Sequence, residues 1–287
     1  MKTVLYLDWR RNRKFYIRTL LQPVILLAVL FVISILVDRL APVVNYRYMR
    51  WPDMVKDLLG LPSWNRNLYV NLWQILALIH PFYVIYTMMT GLSGSVISEE
   101  RMETVVYLKN LSIGRSVLLG SKVLIWLAWL LIVSLVLGIE NLLFFKVLRA
   151  DQLLWTSFRY YMQLGLAALA YMAIALFLAS FQKLESTCED HIFAILILSF
   201  LLARLHAVIG LFGTLLTQTG REGKVLDTVY MLANKLQVLT LVSPMTWCWP
   251  AISVERNFIV CGVLITVILT VMGWSIYTHE KVIYRSR

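Results

Sequence analysis

Apolar residues along this chain come in runs too long for helices of a soluble domain, separated by short polar stretches. The hydrocarbon core of a bilayer takes about 20 apolar residues of helix to cross. Six stretches meet that length: residues 19–37, 69–97, 123–145, 160–181, 191–216 and 258–278. The first is free of charge and has Pro23 near its start, where a helix tolerates the missing N–H best. The second carries His80-Pro81 in its middle, the third Glu140 near one end, and the fifth Arg204 and His206. The pattern predicts an all-α, polytopic membrane protein with a single transmembrane domain over residues 1–287 and both termini on one side.

Three further stretches read as helices that do not span. Residues 3–16 interleave Val4, Leu5, Leu7, Trp9, Phe15 and Tyr16 with four basic residues, which suits an interfacial helix over 1–18 with rings at headgroup depth. Pro52-Asp53 could open a short amphipathic helix running to Gly60. From Lys224 to Leu241, the residues Val225, Leu226, Val229, Leu232, Ala233 and Leu236 recur at helical intervals, and Ser243-Pro244 should end that helix. Both of the last two fall in external segments, where they would either cap an outer vestibule or serve packing.

Composition agrees with the pattern. Hydrophobic residues make up 60% and charged residues only 15%, with a mean hydropathy of +0.73. A soluble domain is nearer ~45–50% apolar and ~25% charged, so a cytosolic enzyme and a disordered chain are both excluded. The net charge of +11 sits in the short stretches between apolar runs, which suits anionic headgroups and topology control, not nucleic acid. The basic N-terminus, from Lys2 to Arg18, favours both ends in the cytoplasm, with the plasma membrane of a bacterium as the expected location. The first apolar run leads into Asp38-Arg39 without a small-x-small cleavage site, so it is expected to remain as an anchor. Cys188, Cys248 and Cys261 form no CxxC pair and suggest no metal site.

The stretch from residue 98 to 122 carries the most chemistry. It opens with Ser98, Glu99, Glu100, Arg101, Met102, Glu103 and Thr104, passes through an apolar stretch to Gly114-Arg115, and reaches Lys122. Like charges three or four residues apart gain nothing from one another, so a basic partner outside the chain is one reason for the acidic cluster; a solvated loop is the other. This loop resembles that of permeases of the type-two exporter superfamily of ABC transporters. There an acidic cluster is followed by Gly-Thr, a hydrophobic stretch, a Pro-x-Ser/Gly-Arg turn and a lysine opening the third span. Glu99, Glu100, Thr104, Gly114, Arg115 and Lys122 match, whereas Glu103 stands at the usual glycine and Ser112 at the usual proline.

The basic N-terminal helix, the six spans and the helical segment before the last span match that family too. The resemblance implies an elbow helix at the N-terminus and a coupling helix over about 98–111 seated in a groove of a separate ATPase. It also implies a translocation pathway formed by two permease subunits, as a homodimer or a heterodimer. Ser98, Glu99, Glu100, Arg101, Glu103, Thr104, Gly114 and Arg115 would then couple to the ATPase. ATP and Mg would bind the partner, since the chain holds no GxxxxGK[ST] stretch.

Two intramembrane residues are candidates for the pathway. Arg204, near the middle of its run, costs ~2.5–3.5 kcal/mol there on insertion scales and must meet carbonyls, polar side chains or water. It would either attract an anionic substrate group or serve the bundle's structure. His80 adjoins a proline that removes one ladder bond and kinks the helix; its imidazole could satisfy the freed carbonyl, or carry a proton or substrate. Gly165, Ala168, Ala175 and Ala179 offer the small side chains that let helices approach closely. Two other functions are open: a scaffold or immunity protein without ATP coupling, and an intramembrane protease. The second lacks the EExxxR arginine, having Thr104 there, and lacks phenylalanine four residues before His80, His191 and His206.

Overall fold

The computed structural model describes residues 2–40, 68–101, 115–181, 185–218, 224–244 and 266–275. Every regular element among them is helical. These are α1 (Lys2–Leu40), α2 (Leu68–Arg101), α3 (Arg115–Val147), a short 3-10 turn (Asp151–Leu153), α4 (Leu154–Phe181), α5 (Glu185–Gln218), α6 (Lys224–Val242) and α7 (Thr266–Ser275). Three stretches are long and apolar enough to cross a membrane: Asn12–Val37, Leu119–Val147 and Leu154–Ser180. The number rises to five if the bent helices α2 and α5 each count as one span. Of the sixth expected span only the ten-residue α7 is described, and the expected helix over 52–60 lies outside the described residues.

Helix pairing follows from a few fixed points. Tyr69 at the start of α2 donates to Asn141 near the end of α3, and Lys122 near the start of α3 donates to the Ser95 carbonyl near the end of α2. These two bonds make α2 and α3 an antiparallel pair. Phe31 of α1 stacks on Phe144 at 4.2 Å while Tyr16 meets Trp126 at 4.8 Å, so α1 runs parallel to α3. Phe82 meets Phe200 and Tyr86 meets Phe193, which sets α5 antiparallel to α2. Close approach at several of these contacts depends on small residues. A Cβ at Gly165 would lie 2.6 Å from Ser134 Oγ, and one at Gly91 would run into the rings of Trp126 and Phe15. Ala168, Ala175 and Ala179 are buried along α4, as their size suggested.

The N-terminus departs from the expectation. Residues 1–18 do not form a helix separate from the first span; α1 is one helix of 39 residues, about 58 Å long. The sequence holds no glycine or proline between Lys2 and Gln22 to break it, and its rings find partners on α3. Trp9 stacks on Tyr16 at 5.2 Å, and both pack against Trp129. Trp129 Nε1 also donates to Thr19 Oγ1 at 2.9 Å. Pro23 therefore lies in the interior of α1, not near a helix start.

The amphipathic helix before the last span is found at Lys224–Val242, ending where Ser243-Pro244 interrupts it. It folds back antiparallel along α5, with Tyr230 and Val229 over Gly213, and Ser243 Oγ donates to the Ser199 carbonyl at 2.9 Å. Ser199 lies eight residues into the run 191–216. An apolar stripe needs a partner surface, and Gly213 provides a shallow place for it.

Candidate functional site

The loop residues divide three ways. Ser98, Glu99, Glu100 and Arg101 continue α2 without a break, so the stretch from 98 is not a separate helix at its start. Arg115 opens α3, which places Arg115–Lys122 in the first two turns of that helix and not in a loop. Glu103, Thr104 and Gly114 lie outside the described residues, as does the rest of the expected coupling helix.

Below this segment, α2 and α3 are tied together. The Lys122 side chain is only 2% exposed and its ammonium donates to the Ser95 carbonyl, in the last two turns of α2. A cation near a helix C-terminus is favoured by the unpaired carbonyls there. One turn deeper, Gly91 lets the rings of Trp126 and Phe15 close on α2. The end of α2 and the start of α3 are thereby held together by a buried charged hydrogen bond and a glycine contact.

A second polar group lies toward the opposite end of the same helices. Pro81 has no N–H for the Ala77 carbonyl, and the Tyr160 hydroxyl donates to that carbonyl at 2.9 Å. The expectation that His80 would do so is corrected: its ring turns to α4, with Nδ1 3.3 Å from the Tyr161 hydroxyl. The distinction follows from geometry, since Tyr160 approaches from outside the helix while His80 projects from it. Trp73 stands close to the Tyr161 hydroxyl, although its N–H closes no well-formed hydrogen bond. Glu140 is within electrostatic reach of both Tyr69 and Tyr161. Leaving a buried polar group unsatisfied costs about 1–3 kcal/mol, which makes these groups an expensive feature of an apolar bundle.

Arg204 is 5% exposed and lies just before the point where α5 bends by 43°, between Leu205 and Val208. The Phe82–Phe200 contact places Arg204 and His80 at similar heights on neighbouring helices. It does not bring them together, because the His80 ring faces α4. Among the described residues no three of His, Cys, Asp and Glu converge as metal ligands.

Comparison with family models, curated proteins and solved structures finds no match to this chain.

Sequence reasoning passed over Tyr160, Tyr161, Asn141, Trp73 and Ser95. A signal existed for the first two, since a Tyr-Tyr pair opens an otherwise apolar run at 160. Ser95 contributes only a backbone carbonyl, which leaves no mark in a sequence.

Proposed function

We propose that this chain is the membrane-spanning subunit of an ATP-driven exporter of the ABC type, which pairs with a second permease subunit to form the translocation pathway. A separate ATPase binds ATP and Mg and acts on the segment from Ser98 to Arg115, which faces the cytoplasm together with both termini. The observation that supports this reading most is the continuity of the acidic end of α2, Ser98–Arg101, with the long apolar helix behind it. Force on that end acts on α2 directly, and Lys122 passes it to α3 through the Ser95 carbonyl. The helix pairs behind the segment shift as units because packed helices repack between discrete arrangements and do not bend continuously. Glu99, Glu100 and Arg101 make the first contact with the ATPase, and Arg204 and His80 are the polar groups nearest a pathway.

Glu100→Lys in the assembled transporter tests the reading. Reversing one charge at a protein interface that depends on charge complementarity costs several kcal/mol. The variant is expected to fold and to reach the membrane, with ATP hydrolysis no longer coupled to export. Normal ATP-driven export by this variant, and by one with Glu99, Glu100 and Glu103 all neutralised, overturns the assignment.

A further inference from the structure

The wedge between the first half of α2, the last two turns of α3 and the start of α4 gathers polar atoms that no protein group satisfies. Trp73 Nε1, His80 Nε2, Glu140 Oε2 and Asn141 Nδ2 are all buried, and none closes a well-formed hydrogen bond among the described residues, although Trp73 lies close to the Tyr161 hydroxyl. Trp73, His80 and Asn141 are at most 2% exposed. The four belong to one neighbourhood. Asn141 accepts from Tyr69 at 2.7 Å, Tyr161 stands 3.3 Å from His80, and Tyr160 packs against both Trp73 and Tyr161 with ring centroids 5.7 and 4.9 Å apart. Glu140 precedes Asn141 directly and acts electrostatically on Tyr69 and Tyr161.

We propose that this wedge is an internal water-binding site, entered beside Glu140 and ending at His80 on the bend of α2. The chemistry of the four atoms selects the ligand. Trp73 and Asn141 present N–H donors, Glu140 a carboxylate oxygen, and the free His80 nitrogen donates or accepts with its tautomer. An anion would oppose Glu140, and a cation would face the two N–H donors. Water donates and accepts at once, and it is the usual partner of buried polar groups that protein atoms leave unsatisfied. Glu140 is only partly buried, which gives the site its mouth. Water here loosens the α2 bend from α4, because the His80–Tyr161 contact then competes with solvent inside the bundle. The inference shares His80 with the transport reading but does not depend on ATP coupling.

X-ray hydroxyl-radical footprinting in lipid nanodiscs tests it, with bulk radicals scavenged so that only water bound within the protein labels its neighbours. Relative to free amino acids irradiated in the same way, Trp73 and Tyr161 are expected to be modified several-fold faster than Met88 and Met89, which are equally buried in the apolar core. In the double variant His80→Phe, Glu140→Leu the excess is lost, while Met88 and Met89 are unchanged. Labelling of Trp73 and Tyr161 no faster than Met88 in the unmodified protein shows a dry wedge and overturns the proposal without any variant having to fold. Full labelling in the double variant overturns the assignment of Glu140 and His80 as the groups that hold the water.

Discussion

The two bent helices of this bundle, α2 and α5, reach nearly the same angle by different means. In α2 the bend of 40° falls between Ala77 and Ile79, just before Pro81, and the carbonyl that the proline releases is taken up by Tyr160 of α4. In α5 the bend of 43° has no proline near it; Gly210 and Gly213 follow, and α6 lies over the second of them. The α5 bend thus adjoins the stretch of the helix on which α6 docks. A bend written into the chain and stabilised by one hydroxyl is a local property, while a bend beside a docked neighbour has to be tested on the pair.

Substitutions sharpen that contrast, and the largest effect falls on the arm of α2 below its bend. Gly91→Val would drive a branched side chain into Trp126 and Phe15, and overpacking of this kind costs about 1–3 kcal/mol or more. Detergent-titrated unfolding should show that loss, and unchanged stability would mean the two helices are not in close contact there.

Next comes Tyr160→Phe. It strands the Ala77 carbonyl and should cost about 1–3 kcal/mol by the same assay. In a Pro81→Ala background the same change should cost much less, since residue 81 then supplies its own N–H. A double-mutant cycle with no coupling between positions 81 and 160 would refute the account of the α2 bend.

Smaller effects belong to α5. Ser243→Ala removes the bond from the end of α6 to the Ser199 carbonyl and should cost about 0.5–1.5 kcal/mol, with faster hydrogen exchange in α6. Gly210 has open space around its missing Cβ, so Gly210→Ala should be neutral or stabilising by about 0.5–1 kcal/mol through helix propensity. A marked loss at position 210 would show that the α5 bend depends on glycine itself and not on α6.

Three of the six expected spans, or five counting the bent helices, stand among the described residues, and they were legible because run length reflects bilayer thickness. The sequence was less informative at their ends. Ser98–Arg101 and Arg115–Lys122 carry charge and read as loop, yet they extend α2 and α3. Charge alone does not stop a helix, and the Lys122 ammonium is buried because its partner is a backbone carbonyl 27 residues away. Pro81 announced a bend, but the hydroxyl that satisfies the freed Ala77 carbonyl lies 83 residues beyond Ala77, a distance no local pattern spans. The basic aromatic N-terminus suited an interface, and only the positions of Trp126 and Trp129 show why it continues α1 instead.

Purification of the chain from its native membrane in a mild detergent, with the Mg-ATPase activity of the product measured, tests the functional account most directly. The account predicts that a P-loop ATPase remains bound in equal stoichiometry, and that both the subunit and its activity are lost when Glu99 and Glu100 are changed to lysine. A folded chain that carries no nucleotide hydrolysis, or one whose ATPase stays bound and active after that double reversal, would contradict it.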